Sequence, residues 1–508
     1  MSTEPVGTFC LVLHSHLPWL AHHGRWPVGE EWLYQSWAGS YQPLFAMLRR
    51  LADEGRTRQL TLGVTPVLAA QLDDAHSLRG MHDWLGDWQL RAHSAAGRRG
   101  EDALQRLATH EHRAAEAALG DFETHWRHGG SPQVRSVVDS GVVELLGGPL
   151  THPFQPLMDP RLRDFALRSG LADATARTGR TPAGIWAPEC AYAPGMETGY
   201  AAAGVRHFLV DGPALHGATS TARTVGDSDV VCFGRDLEVS YKVWSPRSGY
   251  PGHAAYRDFH TYDHPSGLKP ARVTGRGVAP EAKAPYDPAR AAAAVQQHAA
   301  EFVEVVRSRL ASLAERDGRP GLVVAAYDTE LFGHWWHEGP AWVEAVLRLL
   351  PEAGVRVTTL EGAVEAGCVG APVDLPASSW GSGKDWRVWA SDEVSDFVRL
   401  NADVTRTALS TVDDLVKEQG RNPVADQILR EALLALSSDW AFMVTKDSAP
   451  DYARTRAQTH AHAVHEIAGA VRAGGPALAL AEQWRRADGP FAALDARRLA
   501  TPGSTASA

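Results

Sequence analysis

The sequence of 508 residues is poor in cysteine and lacks long apolar runs. Its four cysteines lie far apart without a CxxC pair, so the sequence indicates neither a zinc ribbon nor a disulfide framework. The first residues lack the basic region and apolar run of a secretory signal, and no stretch of about 18 apolar residues predicts a membrane span. These features together predict a cytoplasmic protein with no membrane partner.

Positive charge is also scarce, because the formal net charge is -10 and no basic tract stands out. This balance argues against binding to nucleic acid or to an anionic membrane surface. Several common catalytic signatures are absent as well, namely GxSxG, the Walker A loop, HExxH and GxGxxG. Lipase-like, nucleotide-binding and zincin-like functions therefore lose support.

Tryptophan, by contrast, is abundant, with 17 residues that often stand beside glycine, proline, histidine or acidic residues. Any one of these tryptophans could simply fill the core. As a group they suggest flat platforms, because the apolar C–H faces of sugar rings stack on indoles and the indole N–H can reach a hydroxyl.

Short apolar runs recur along the first two thirds of the chain and end in polar side chains. Each run is typical of a buried strand, and helical patterns lie between several of them. Alternating strands and helices predict a parallel sheet, and polar residues at the strand ends favour a barrel over an open sheet. The residues that end these runs are His14, His16, Thr65, Glu189, Asp211, Asp328 and Glu330.

The length of the chain predicts two or three domains. We place a catalytic barrel at residues 1–375, with a helical insertion at about 74–135 that is rich in alanine, arginine, histidine and glutamate. The later pattern is all-helical, so residues 376–490 are predicted to form a C-terminal helical domain that completes the cleft. The tail, residues 491–508, is predicted to be disordered.

The segment LHSHLPW places His14 and His16 on one face of an extended strand. The pair could bind a metal ion, as in amidohydrolase-like barrels, if later strand ends supply further ligands such as His152, Asp211 or Asp328. It could instead donate hydrogen bonds to sugar hydroxyls, or the two histidines could be structural. The residues alone leave these interpretations open, with sugar binding favoured.

Two carboxylates follow apolar runs, Glu189 in GIWAPECAY and Asp328 in AAYDTELFGHWWHEGP. Taken singly, Glu189 could cap a turn and Asp328 could cap the next helix. Taken together, they fit glycoside chemistry, which needs one ionised carboxylate and one protonated carboxyl across a glycosidic bond. Burial and a neighbouring negative charge can raise the pKa of the second group. The tryptophans that flank them are Trp186, Trp335 and Trp336.

These segments make the chain resemble glycoside hydrolase family 57, and most closely the α-1,4-glucan branching enzymes of that family. Successive motifs occur in the family's order over most of the chain. The matching segments are LHSHLPW, EEWLYQS, VVELLGGPLTHPFQPLM, GIWAPECAY, AAYDTELFGHWWHEG, SSWGSGKDWRVW and SSDWAF.

The resemblance implies roles for residues at matching positions. It assigns the nucleophile to Glu189 and the general acid/base to Asp328. It also implies a substrate-binding set that lines the cleft or closes it from the helical domain, namely His14, His16, Trp32, His152, Trp380, Trp389, Asp439 and Trp440.

The resemblance further implies a distorted (β/α)7 barrel with a helical insertion and a C-terminal helical domain. It implies a retaining mechanism without metal or cofactor, in which an α-1,4 bond of an α-glucan, either amylose or a glycogen-like polysaccharide, is cleaved and the chain is transferred to a 6-hydroxyl. Sibling activities, α-amylase and 4-α-glucanotransferase, are the first alternative. A metal-dependent amidohydrolase or deacetylase is a remote one, and a non-catalytic glucan-binding module is disfavoured by the two carboxylates.

Branching members of the family carry a mobile loop over the cleft, which here matches residues 233–260. A tyrosine near the loop tip matters in that group, and Tyr241 and Tyr250 are both candidates. The family pattern has an aspartate after GYPG, whereas this chain has His253. That departure bears on the ratio of transfer to hydrolysis.

Overall fold

The protein is described from a computed structural model that covers residues 5–98, 101–245, 247–416 and 420–499. A curved sheet of ten strands forms its centre. The strands are β1 (Gly7–Ser15), β2 (Leu60–Val64), β3 (Val143–Gly147), β4 (Gly184–Ile185), β5 (His207–Asp211), β6 (Ala222–Val225), β7 (Val231–Arg235), β8 (Gly321–Asp328), β9 (Arg356–Val357) and β10 (Val369–Val373).

Seven of these strands run parallel in the order β8-β1-β2-β3-β4-β5-β7. The sheet curls until β7 lies beside β8, where the backbone N–H of Asp236 donates to the carbonyl of Val324 at 2.8 Å. Strand β6 pairs antiparallel with β7, and β10 pairs parallel with β6 at the edge of the sheet. The short strand β9 pairs parallel with the first residues of β1. The predicted distorted seven-stranded barrel is thereby confirmed.

Helices surround and extend this sheet. The described residues form α1 (Glu30–Ser36), α2 (Gln42–Asp53), α3 (Pro66–Asp73), α4 (Ala75–Ala96), α5 (Asp102–Asp121), α6 (Ser131–Asp139), α7 (Pro160–Thr178), α8 (Met196–Ala202), α9 (Leu237–Val243), α10 (Pro288–Asp317), α11 (Gly339–Glu352), α12 (Leu360–Glu365), α13 (Arg387–Ala390), α14 (Ser395–Leu415), α15 (Pro423–Ala435), α16 (Ser438–Thr445), α17 (Pro450–Ala473) and α18 (Ala477–Arg485).

Local sequence accounts for the bounds of the longest helix, α10. The side chain of Asp287 accepts hydrogen bonds from the backbone N–H groups of Ala289 and Arg290 and so caps its first turn. Pro288 occupies the first helical position, which needs no N–H donor. Gly318, with φ of 68°, ends the helix in the left-handed conformation that favours glycine.

Helices α4 and α5 pair with each other in the region where the helical insertion is predicted, and α14, α15 and α17 pack together near the C-terminus. The exact division into domains stays a prediction. The prediction of a disordered tail is wrong for residues 491–499, because apolar side chains there, such as Phe491 and Leu494, are buried against α15. Residues 500–508 lie outside the described residues.

Within the described ranges, none of the helices combines the length and apolar character needed to cross a bilayer. Several buried polar groups, His14, His152, Glu189 and Glu330 among them, lie at one mouth of the barrel, where the strands β1, β4 and β8 end.

Candidate active site

The site lies at the carboxyl ends of the parallel strands. His14 of β1 is in register with Asp328, the last residue of β8. Glu189 follows β4 by four residues, after the run Trp186, Ala187 and Pro188. Parallel strands deliver their carboxyl ends to one edge of a sheet, so residues distant in sequence meet there.

Glu189 sits on a tight turn with an unusual backbone. Its φ of 61° and the φ of 48° at Cys190 are both in the left-handed region, which side chains other than glycine seldom adopt. The turn aims the carboxylate inward, where Trp380 Nε1 donates to Oε2 at 2.9 Å and Ser438 Oγ donates to Oε1 at 2.8 Å. The side chain is buried, with the whole residue 8% exposed.

Asp328 meets the same space from the end of β8, and within the described residues its carboxyl accepts no hydrogen bond. Burial raises its pKa to about 7, and the negative charge of Glu189 adds to the effect. Burial also raises the pKa of Glu189 to about 7, although the hydrogen bonds from Trp380 and Ser438 oppose the rise. These two hydrogen bonds favour the ionised form of Glu189, whereas no hydrogen bond within the described residues favours the ionised form of Asp328.

A third carboxyl, Glu330, lies next to this pair and was only noted from the sequence as the end of a strand run. Its Oε1 accepts hydrogen bonds from the Tyr41 hydroxyl at 2.5 Å and from the backbone N–H of His16 at 3.1 Å. Burial, followed by the charge of Asp328, raises its pKa to about 8. A neutral Glu330 adds little negative charge beside Asp328.

Three histidines stack at the mouth. His14 Nε2 and His152 Nε2 are 3.0 Å apart, and the rings of His16 and His152 stack with centroids 3.8 Å apart. Burial lowers the pKa of both His14 and His152 well below the ordinary value, so both rings are neutral at pH 7. His152 Nδ1 lies 2.9 Å from Ser438 Oγ, which continues the contact to Glu189.

Asp439 joins the stack from the C-terminal helices. One of its oxygens lies 2.9 Å from His16 Nε2. Burial alone would raise the pKa of Asp439, but the proximity of His16 lowers it to about 2. Ligand atoms of His16, His152 and Asp439 all lie within 4.8 Å of one another, which is close enough to hold a metal ion. The expected absence of metal therefore stays a prediction.

The predicted tryptophans divide by exposure. Trp32 and Trp380 are half-buried, and Trp186 stacks on His14 with ring centroids 4.3 Å apart. Trp389 and Trp440 are only 3% and 1% exposed, so in this conformation neither offers a face to a sugar. Trp389 instead donates from Nε1 to the carbonyl of Ser438 at 3.1 Å. This hydrogen bond helps to position Ser438, whose side chain contacts Glu189.

A buried ion-pair network lies behind Trp380, and sequence reasoning did not identify its role. Asp211 accepts a hydrogen bond from Arg235 at 2.8 Å and lies 2.6 Å from Lys384 Nζ. The Arg235 guanidinium stands 5.2 Å from the centre of the Trp380 ring. Strand-end position was the one signal for Asp211, which the structure places behind the tryptophan that contacts Glu189.

The two candidate loop tyrosines have different surroundings. Tyr250 is buried among His298, Trp336 and Trp342 in the main core cluster. Tyr241 is 42% exposed on α9, the helix that follows β7. Of these two phenol rings, only that of Tyr241 is exposed to solvent. Pro246, within the predicted loop, lies outside the described residues.

Comparisons with known proteins point in one direction. The sequence model of "Glycosyl hydrolase family 57" matches residues 10–247, and that of "1,4-alpha-glucan branching enzyme, C-terminal" matches residues 402–498. A probable 1,4-alpha-glucan branching enzyme of Mycobacterium tuberculosis is 63% identical over 521 aligned residues, covering 98% of this chain and 99% of that protein.

Solved structures agree with this relationship. The GH57-type branching enzyme of the archaeon Pyrococcus horikoshii superposes with a TM-score of 0.94 at 29% identity, covering 99% of this chain and 98% of that one. The α-amylase AmyC of Thermotoga maritima gives a TM-score of 0.87 at 25% identity, covering 97% of this chain and 99% of that one. The chain thus belongs to glycoside hydrolase family 57, among the 1,4-alpha-glucan branching enzymes of that family.

Proposed function

We propose that the protein is a retaining 1,4-α-glucan branching enzyme in which Glu189 is the nucleophile and Asp328 the general acid/base. The observation that carries the assignment is the asymmetry of the two carboxyls. Glu189 accepts two hydrogen bonds that favour its ionised form, whereas no hydrogen bond within the described residues reaches Asp328. A retaining mechanism also requires a separation of about 5–5.5 Å between the carboxyl groups, which remains a prediction.

In the first step, ionised Glu189 attacks the anomeric carbon of an α-1,4-linked glucose unit. Protonated Asp328 donates its proton to the leaving 4-oxygen, so the bond breaks without release of an alkoxide. The glucan chain is then held on Glu189 as a covalent ester. The raised pKa of Asp328, about 7, lets this carboxyl carry a proton near neutral pH, and the two hydrogen bonds to Glu189 favour ionisation of the other carboxyl.

In the second step, Asp328 accepts a proton from the acceptor. A 6-hydroxyl of another chain attacks the anomeric carbon, Glu189 leaves, and an α-1,6 branch forms. Water competes for the same intermediate, so transfer needs a positioned acceptor in a shielded site. Good orientation supplies effective molarities of about 10⁵ M or more, enough to outcompete water.

The remaining site residues are proposed to bind the sugar. His16 and Asp439 can exchange hydrogen bonds with hydroxyls, since both side chains are partly exposed at the mouth. Trp32 and Trp380 have exposed ring area for stacking, and Tyr241 with Trp244 can cover the cleft as a lid. The domain division and a cytoplasmic location also belong to this proposal.

The decisive experiment incubates the purified protein with linear amylose. Proton NMR of the product should show new α-1,6 anomeric signals, and debranching should release shorter chains. A parallel reducing-sugar assay should show only a minor rise. Accumulation of reducing ends without an α-1,6 signal would contradict the assignment of branching.

Hydrolysis of α-1,4 bonds is the second candidate. It is favoured by the structural similarity to the Thermotoga maritima α-amylase AmyC and by His253, which replaces the aspartate expected after GYPG. The same pair of assays separates these two candidates, because transfer to a 6-hydroxyl gives an α-1,6 signal and attack by water gives a reducing end.

A further inference from the structure

A cavity of about 570 Å³ lies outside the site described above. It is bounded by α1, α2, α4, α5, the segment 257–269 and the residues that follow Glu330. Neither Glu189 nor Asp328 lines it, and none of the three stacked histidines does. Its volume falls in the range of about 300–1,000 Å³ that is usual for small-molecule sites.

Aromatic rings form much of the cavity wall. Trp84 and Trp88 of α4 face it, together with Phe259 and Tyr262. Trp84 Nε1 donates to Glu31 at 2.8 Å and Trp88 Nε1 donates to Glu111 at 3.2 Å, so both rings are held in place. Fixed indole rings beside a phenyl and a phenol ring suit a ligand that has both apolar faces and hydroxyls.

An unpaired amine adds a donor to this wall. Lys269 Nζ lies 3.7 Å from the centre of the Phe259 ring, and no acceptor within the described ranges bonds to it. Its largely buried position lowers its pKa to about 7. The carboxylates of Glu31 and Asp258, which also line the cavity, supply acceptors. Donors and acceptors around aromatic faces match the groups of a polyhydroxylated ring.

The charge of the lining decides against a phosphorylated ligand. Four cationic side chains and five carboxylates line the cavity, so positive charge is not in excess. Burial lowers the pKa values of His334 and His337 to about 3, and these histidines add no charge at neutral pH. Phosphate recognition uses clustered cations. In this cavity the carboxylates offset the charge of the cationic side chains.

We infer that this cavity binds a segment of an α-glucan chain apart from the segment being cleaved, an inference that rests on the proposed function. Trp335 lines the cavity and stacks on Trp244 with ring centroids 5.8 Å apart. Trp244 directly follows α9, the proposed lid helix. A chain held there would stay near the barrel mouth between reactions. Such tethering raises the effective concentration of the acceptor or donor chain.

The test uses the full-length protein with Glu189→Gln, which under the proposed function should bind glucan without turning it over. Calorimetric titration with maltoheptaose should give two binding events. Ala114→Trp on α5 would fill the cavity and should remove one of them. Ala117→Trp, three residues further along the same helix and solvent-exposed, is the matched control and should keep both.

The inference would be overturned if the protein with both Glu189→Gln and Ala114→Trp still showed two binding events of unchanged affinity. It would also be overturned if Glu189→Gln alone showed one binding event and Ala114→Trp did not change it. In both cases the proposed function would stand. Absence of any maltoheptaose binding would overturn the proposed function itself. Titration with ADP should give no cavity binding, and an ADP signal that Ala114→Trp abolishes would contradict the choice of a neutral sugar.

Discussion

Glu189 and Asp328 reach the same mouth by different routes. Glu189 has a left-handed backbone conformation and accepts hydrogen bonds from Trp380 and Ser438. These two residues lie 191 and 249 positions further along the chain. Asp328 ends a long buried strand and receives no hydrogen bond within the described residues. Hydrogen bonds therefore position the carboxylate of Glu189, whereas the end of strand β8 positions that of Asp328.

This difference teaches how two carboxyls with similar pKa values can have distinct roles. The pKa values of both are about 7, and burial is the main cause for each. The hydrogen bonds break the symmetry, since they stabilise only the charged form of Glu189. Once Glu189 is ionised, its charge keeps the proton on Asp328. Each prediction below changes one side of this comparison.

Removal of either carboxylate should have the largest effect. Glu189→Gln abolishes the nucleophile and Asp328→Asn abolishes proton transfer, so each should lower turnover by at least ~10³-fold. Turnover on amylose and the unfolding transition would be measured together. Glu393→Gln, at an exposed glutamate, is the control and should remain fully active. Retained activity in either variant would contradict the assigned roles.

Ser438→Ala should remove one of the two hydrogen bonds that favour the ionised form of Glu189. Hydrogen bonds to charged groups contribute about 1.5–3 kcal/mol, so the loss should raise the pKa of Glu189 by roughly one unit or more. Activity is lost as pH falls through the pKa of Glu189, and the acidic limb of the pH profile should therefore move to higher pH. The basic limb, where Asp328 loses its proton, should move in the same direction by less.

The pH profile of initial rates measures both limbs of this effect. The unsubstituted enzyme should show a bell centred near pH 7, because both pKa values are about 7. Ser410→Ala, at an exposed serine of α14, should leave the profile unchanged. An acidic limb that stays in place after Ser438→Ala would show that this hydrogen bond does not set the charge of Glu189.

Tyr241→Ala should change the fate of the intermediate rather than its formation. Loss of the exposed ring from the proposed lid would admit water, and the share of reducing ends in the product should rise roughly threefold. Tyr241→Phe keeps the ring and should behave like the parent enzyme. The ratio of α-1,6 signals to reducing ends is the measurement, and an unchanged ratio in Tyr241→Ala would remove α9 from the lid.

The smallest effect is expected from chelation. His16, His152 and Asp439 could hold an ion by geometry, yet the proposed mechanism uses none. Dialysis against a strong chelator should leave turnover unchanged, and elemental analysis should find no stoichiometric metal. Activity that falls with the loss of bound zinc and returns on its addition would support the amidohydrolase alternative.

Much of this site could be predicted because strand ends carry a local signal. Glu189, Asp328 and His14 each follow or end an apolar run, and parallel strands bring such ends together. The family motifs then assigned roles to them. Ser438 was missed although it adjoins Asp439, because a serine beside an aspartate has no distinctive pattern and its contact with Glu189 spans the fold.

The predicted tryptophan platforms show the same limit. A motif identifies a tryptophan near a site but not the direction in which its ring points. Trp389 and Trp440 lie in the packing of the C-terminal helices, with their N–H groups bonded to the carbonyls of Ser438 and Leu434. Helix orientation is decided by packing across the whole domain, which spacing along the sequence does not encode.

The contact between Ser438 and Glu189 has a consequence for synthesis of the protein. A ribosome completes the barrel strands before it produces α16, so the nascent barrel carries both carboxyls without the serine that stabilises charge on Glu189. We expect a translation product that stops before Ser438 to be far less active, even if its strands fold. Full activity would then require that the C-terminal helices have packed against the barrel, and incomplete chains would not process α-glucans.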